Sequence, residues 1–389
     1  MSTLKVNTIR HTGASSDAVT LATDGTCTAK ITNNLSNRNL IINGAMLVAQ
    51  RGTTSGSSSY QTVDRFALDA ASEDETPTQS QVAVASGTTP YTLGFRKAFK
   101  ITNGNQTSGA GTSDEISFDY RFESQDIANS GWNYTSASSY ITLSFWIKSS
   151  VAQDFKFYLK TEYGTEKGYP MATGSLSADT WTKITKTIPG HADLQFDNTN
   201  AKGLSIEFFP FIGTDKTASV TDNAWMTYSG STRVNDCTTT WYTTNDATLE
   251  FTGFQLEVGD VATDFEHRSY SDELLRCFRY FYMHADGSVS TSAAISEGRF
   301  MTGSEIDFMT FFPVSMRTTP TIWQVTGADY FAIKASGYNQ NVDGNWTLQW
   351  AQKNGTSHYG TPDATGTTNM PAQVILMNAA ARLGYQAEL

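Results

Sequence analysis

What most constrains this chain is a period-two alternation of apolar and polar residues that recurs in short runs between residues 41 and 268. The run YITLSFWIKS shows it best, with Ile141, Leu143, Phe145 and Ile147 on one side and Thr142, Ser144, Trp146 and Lys148 on the other. Successive side chains of a strand point to opposite faces, so this spacing writes one buried and one polar face. Further runs share the β-favouring composition: NLIINGAMLVAQ, DRFALDA, QVAVAS, GFRKAFKIT, EISFDYRF, DFKFYLKTE, TWTKITKTI, LSIEFFPFIG and TLEFTGFQLEVG. Loops rich in Ser, Thr, Gly and Asn separate them, and no long helical stretch intervenes. The pattern predicts an all-β chain whose residues 41–268 form a jelly-roll β-sandwich.

The flanks read differently. Residues 1–40 hold only short alternating pieces, LKVNTI, AVTLAT and CTAKI, broken by TGASSD and TDGT. Pieces this short cannot bury a face alone, so they must pair with other parts of the protein or with identical chains. Lys5, Arg10, Lys30 and Arg38 outnumber Asp17 and Asp24 there, which makes a basic segment on an acidic protein. An attachment or trimerisation segment is expected. Past the sandwich, SYSDELLRCFRYFY predicts a short helix capped by Ser271 or Asp272, with Leu274, Leu275 and Phe278 on one side. It opens a third unit, a C-terminal β-domain over 269–389, with strands in RYFYMHA, SEIDFMTFFPV, PTIWQVTG, YFAIKAS, WTLQWAQ and AQVILMNAAARL. Residues 353–369 read as an exposed polar loop.

Composition removes several classes of function. Of 389 residues, 27 are Lys or Arg and 38 are Asp or Glu, a net charge of −11. The cations do not cluster, which argues against nucleic acid and against an anionic membrane surface. No apolar run is long enough to span a bilayer, and MSTLKVNTIRHTG lacks the apolar core of a signal peptide, so folding in a cytoplasm is expected. Cys27, Cys237 and Cys277 are too few for a disulfide framework and too far apart for zinc, and read as reduced, mostly buried thiols. No nucleophile elbow, P-loop, zincin helix or dinucleotide fingerprint occurs. His11, His191, His267, His284 and His358 lie far apart and read as surface or interface side chains. No catalytic residue, cofactor or metal site is expected. Glu250, Glu257, Asp260, Asp264 and Glu266 bunch near one strand end; a glycosidase pair and a turn sharing water or calcium both remain open.

NLIINGAMLVAQRGTTSG followed by YQTVDRFALDA resembles the start of jelly-roll domains in bacteriophage tail-fibre and minor virion proteins. The matching positions are Asn43, Gly44, Gln50, Arg51, Gly52, Asp64, Arg65 and Phe66. FTGFQLEVGDVATDFEHRSYSDELLRCFRYFY resembles that family's closing strand and hinge, at Gln255, Leu256, Glu257, Gly259, Ala262, Thr263, Phe265, Glu266 and Arg268. FFPVSMRTTPTI is similar to the start of its C-terminal β-domain, and MSTLKVNTI resembles N-termini of virion proteins from phages of marine bacteria and cyanobacteria. Relatives often carry Phe and Trp in the first strand; Met46 and Ala49 stand here, so an aromatic contact is lost. The resemblance implies a virion fibre or surface subunit, often trimeric, assembled in the host cytoplasm.

In a closed sandwich the first strand, 41–50, would neighbour the last, 249–258. Glu257 and Arg268 would then pair near the exit, while Asp64 and Arg65 fix the crossing after the first loop. Three loops combine aromatic and polar residues in the way carbohydrate recognition uses them. One carries Trp132 and Tyr134; another Trp225, Tyr228, Trp241 and Tyr242; the last, in the C-terminal domain, Tyr338, Trp346, His358 and Tyr359. Trp146, Trp181 and Trp350 sit inside strand patterns and are expected to be packed. The function expected is non-enzymatic adhesion to host surface polysaccharide by a homotrimer held to other tail or capsid proteins through its N-terminal segment. A purely structural capsid decoration or tail adaptor, and a glycan-cleaving fibre, are the alternatives.

Overall fold

The computed structural model describes residues 5–25, 27–29, 37–335, 338–363 and 365–389, without the side chains of residues 28, 29, 338 and 339. Lys30 of the basic segment lies outside the described residues.

Two six-stranded antiparallel sheets face each other. One runs Met226–Thr227, Lys167–Ala172, Lys156–Thr161, Lys202–Ile212, Glu115–Glu123, Phe66–Ala71. The other runs Thr182–Pro189, Tyr140–Ser149, Thr248–Val258, Lys97–Thr102, Thr78–Ala83, Thr54–Ser55. Apart from the consecutive pairs Lys156–Thr161 with Lys167–Ala172 and Thr78–Ala83 with Lys97–Thr102, the neighbours are not consecutive in sequence, the crossover order of a jelly-roll sandwich. Ile141, Leu143, Phe145 and Ile147 are buried between the sheets, as their alternation predicts. Aromatic rings fill the centre: Phe118 stacks on Phe251 at 4.7 Å, and Phe145 on Phe254 at 4.6 Å.

Phe251 and Phe254 differ by three positions, yet both point inward. A register shift between Thr252 and Gln255 makes this possible, with Gly253 at φ +67°, a conformation that favours glycine. Beside this bulge runs 41–50, which is not a strand. Asn43 accepts a bond from the Val48 amide (2.9 Å) and donates to the carbonyls of Val48 (2.9 Å) and Asp64 (3.0 Å). These side-chain bonds give the backbone an alternative to a sheet ladder and hold it in turns. The segment still lies along the last strand, through Leu40 N to Leu256 O (2.9 Å) and Phe254 N to Gly44 O (2.9 Å). Met46 is fully buried in the core.

The hinge helix spans Tyr270–Cys277, and its cap is Ser269, ahead of the expected Ser271 or Asp272. Its buried side is Glu273 and Cys277, while Leu275 is exposed. Glu273 is drawn inward by the Asn43 amide (2.6 Å) and by Arg268 (3.2 Å), a paired charge in place of an apolar contact.

Beyond the helix, a seven-stranded sheet runs Tyr338–Val342, Phe331–Ala335, Pro371–Leu376, Ala294–Phe300, Ile306–Phe311, Gly355–Gly360, Thr347–Gln352. A three-stranded sheet, Phe281–Asp286, Arg382–Gln386, Thr321–Val325, packs against it around Phe308, Phe331, Trp346 and Tyr385. Part of the expected loop 353–369 is therefore an inner strand: Gly355–Gly360 pairs on both sides and buries Thr356 and His358. A third sheet, Thr8–Ile9, Val19–Leu21, Cys27–Ala29, lies in the N-terminal segment. Cys277 is buried, Cys237 half-buried and Cys27 exposed. Among the described residues no helix is long and apolar enough to cross a membrane.

Two predictions follow from this packing. A Cβ at Gly44 would lie 2.1 Å from Phe254 O, a backbone atom that cannot step aside. Gly44→Ala should cost about 2–4 kcal/mol in denaturant unfolding, the scale of an overpacked core. His358, expected at the surface, is buried and stacked on Phe308 (4.6 Å); His284 is half-buried nearby. Burial, then the neighbouring His284, pushes His358 down to about 4. The unfolded chain therefore binds the extra proton first, so its contribution is present above pH ~6.5 and lost as pH falls toward 4. The melting temperature should drop less across that interval in His358→Phe than in the wild type.

Candidate functional site

The structure places five of the sequence-predicted sugar contacts inside the protein. Trp132, Trp241, Tyr242, Trp346 and His358 are buried, which corrects the expectation that they sit on open loops. Trp241 and Tyr242 lie on a one-turn helix, Thr240–Thr243, that caps the core; Tyr242 stacks on Phe211 (4.2 Å) and donates to Asp114 (2.8 Å). Trp346 meets Phe308 edge-on at 4.9 Å. Large rings in polar loops fold inward because their burial stabilises by about 2–3 kcal/mol each.

Tyr134, Trp225, Tyr228 and Tyr359 are half-buried. Trp225 donates to Pro189 O (2.7 Å) and packs on Tyr169 (5.0 Å), closing one edge of the sandwich. Tyr134 packs edge-on against Phe196 (5.0 Å). Tyr228 stacks on Tyr158 (6.1 Å) with Lys160 over its ring (4.4 Å), so its faces are engaged. The side chain of Tyr338 lies outside those described. Of the predicted set, only Tyr359 among the described side chains joins the most exposed aromatic surface of the described residues.

That surface is the outer face of the seven-stranded sheet. Trp350 is 69% exposed, Phe311 72% and Met309 55%. Trp350 was expected to pack because it sits inside a strand pattern, in step with Trp346 and Leu348. A register shift between Leu348 and Trp350 breaks the alternation and turns the indole outward. Cross-strand partners share a face, which gives three rows: Trp350, Ser357, Met309; Gln352, Gly355, Phe311; Thr347, Tyr359, Asp307. With strands ~4.8 Å apart, Trp350 and Met309 flank a trough about 10 Å wide. Ser357 is its floor, and its hydroxyl has no hydrogen-bond partner among the described residues. The third row ends on an Asp307–Arg299 ion pair (3.3 Å). Apolar faces with flanking hydroxyls, an amide and an ion pair suit a ligand that is itself amphipathic, such as a pyranose ring.

The charges singled out by sequence do other work. Glu257 and Arg268 do not pair with each other. Glu257 binds the Thr263 amide (2.9 Å) and hydroxyl (2.6 Å), while Arg268 pairs with Glu266 and Glu273, both at 3.2 Å. Glu266 also accepts from the Asn37 (2.5 Å) and Asn39 (2.8 Å) amides, and Glu250 pairs with Lys148 (2.9 Å). Asp64 is buried beside Gln50, whose amide donates at 3.0 Å, and burial raises its carboxyl to about 6. Arg65 lies over the Tyr280 ring (3.5 Å), donates to Arg121 O (2.6 Å) and pairs with Glu388 (2.5 Å). Arg51 lies over Phe281 (3.6 Å). The positions that resemble a phage jelly roll thus build the joint between the sandwich and the C-terminal sheets.

One acid pair sits elsewhere. Asp119 and Glu207 are register partners on the outer face of the sandwich, and burial followed by Glu207 holds the Asp119 carboxyl well above the usual range. Asp119 is only 4% exposed and pairs with Arg121 (3.2 Å). Among the described residues no three His, Cys, Asp or Glu side chains gather as a metal site needs.

No family model matches the chain, and no curated protein does. Solved structures give slight similarities. A putative sugar binding protein from Bacteroides thetaiotaomicron matches at TM-score 0.32 and 12% identity, over 57% of this chain and all of that one. The enzymatically active domain of tailspike protein 4 of bacteriophage CBA120 matches at TM-score 0.30 and 9% identity, over 57% of this chain and 22% of that one. The tandem CBM22-1–CBM22-2 domain of Paenibacillus barcinonensis Xyn10C matches at TM-score 0.28 and 10% identity, over 92% of this chain and all of that one. The chain thus spans about a fifth of the tailspike's length. Likenesses this slight decide nothing about ligand or role.

The joint generates a stability test. Arg65→Ala strands Glu388 without its main cation and should cost about 3–5 kcal/mol in denaturant unfolding. The double variant Arg65→Met, Glu388→Leu should recover much of that loss.

Proposed function

We propose that this chain is a glycan-adhesion subunit of a virion fibre or spike, non-enzymatic, which docks sugar rings on Trp350, Phe311 and Tyr359. The observation that carries the reading is an indole held 69% exposed in the middle of a strand, where folding alone would favour a polar residue. A rigid sheet pre-orders the contact, so little side-chain entropy is lost on binding. Thr347, Gln352 and the Asp307–Arg299 pair supply partners for hydroxyls. The resemblance of the joint residues to phage tail-fibre jelly rolls supports the virion setting.

Each aromatic contact contributes about 0.5–1.5 kcal/mol beyond its buried area, which predicts weak single-site binding. A homotrimer would raise apparent affinity through effective concentration. The N-terminal sheet, whose strands are two or three residues long, is the natural element to pair with neighbouring virion proteins. A purely structural adaptor fits the outer face less well. Three side chains at 55–72% exposure offer a few hundred Å², short of the ~800 Å² per partner of a stable protein interface. The low exposure of Asp119 likewise favours binding over glycan cleavage.

Binding to host surface polysaccharide, read by biolayer interferometry, tests the proposal. Trp350→Ala and Phe311→Ala should each weaken binding about tenfold, equivalent to ~1.4 kcal/mol, with an unchanged melting temperature. Variants that bind as the wild type does would overturn it.

A further inference from the structure

The aromatic strip occupies only one end of the outer face, and the register shows what lies beyond it. Trp350, Ser357 and Met309 share one level across three strands. The adjoining pair Gly298–Phe308 sets Glu297 next to Met309 on that level, and Glu297 is partnered by Gln373, which is partnered by Lys334. One continuous band therefore crosses six strands, five spacings or about 24 Å. At its far end is a cavity of about 270 Å³ lined by Ser292, Ala294, Lys334, Gln373, Ile375 and Met377. That volume is at the lower limit of small-molecule pockets and admits about one sugar ring.

The two ends differ in charge chemistry. Near the aromatic end the cation Arg299 is already paired with Asp307. At the cavity, Lys334 is exposed and has no ion-pair partner among the described residues. Glu297 is two strands away, about 10 Å, where solvent and salt screen it. An ammonium, a primary amide from Gln373 and a hydroxyl from Ser292 around one small hollow form a donor set for an anionic oxygen group.

We propose that the outer face binds an extended acidic oligosaccharide laid across the strands, with its first ring on Trp350 and Met309, between Phe311 and Tyr359 on the two flanking levels, and a carboxylate or sulfate substituent seated against Lys334. This deepens the adhesion reading and rests on it. The separation of the two ends selects a chain of about four or five rings, since a shorter glycan reaches one end only. The occupant is a glycan and not a second copy of the chain, because the apolar part is small and is interrupted by Glu297, Gln373 and Lys334.

The test uses the full chain and ladders of one to six rings: oligogalacturonates, oligomannuronates and chondroitin fragments as acidic probes, xylo-, cello- and manno-oligosaccharides as neutral ones. Titration calorimetry should show acidic ladders tightening up to about four or five rings and then levelling. Lys334→Gln should weaken the acidic ladders about tenfold and leave neutral ones within about twofold, while Trp350→Ala weakens both. Neutral ladders that bind as well as acidic ones, a silent Lys334→Gln, or no gain beyond two rings would overturn this inference and leave the adhesion reading standing. If no ladder binds, or if Trp350→Ala changes only the oligomeric mass, both are overturned.

Discussion

A buried arginine pair holds the molecule's two large β-assemblies in one frame. Arg65 and Arg51, from the loop that leads into the first long strand of the sandwich, lie over Tyr280 and Phe281 and meet Glu388 from the far end of the chain. Removing a guanidinium from water is costly, and the site compensates with aromatic faces, a carboxylate and a backbone carbonyl at once. Around it the same logic repeats. Arg279 pairs with Glu123 through two bonds of 2.6 and 2.7 Å, and Arg317 donates to the carbonyls of Asn200, Ala387 and Glu388. Because these bonds join sandwich, hinge and C-terminal sheets, the exposed band on the seven-stranded sheet inherits a fixed orientation relative to the sandwich. A rigid platform of this kind avoids ordering costs in whatever docks on it.

The all-β architecture was legible from alternation alone, and Tyr140–Ser149 shows why: every second residue is apolar, so only one placement hides them all. Two kinds of detail were not legible. The first is local irregularity. The bulge at Gly253 and the register shift at Trp350 each change which way a ring faces, and no period-two template contains them. The second is competition between side chain and ladder, as at Asn43, which turns an apparent strand into a series of turns.

The candidate site failed in an instructive direction. Rings in polar loops, such as Trp241 and Tyr242, fold inward because loops can bend to bury them. A ring anchored in a strand has its direction set by the pleat and the bulge, and Trp350 has nowhere to hide. The only available signal was the pairing of Met309 and Phe311 at alternate positions in SEIDFMTFFPV, opposite Ile306 and Phe308. An alternating strand with apolar residues on both sides has one face that solvent sees or a ligand covers. The charges of the joint show the converse: Arg65 stood out in the sequence, while its partner Glu388 lay hundreds of residues away.

The register shift beside Trp350 falls in Thr347–Gln352, an outermost strand that is paired on one side only. Nothing further out depends on its alignment. Gaining or losing a single codon there would slide the strand by one place, tuck the indole under the sheet and bring Leu348 or Ala351 to the surface, with the sandwich untouched. The character of this outer face is therefore open to change by small length differences at a margin, a quicker route than replacing its exposed residues one at a time.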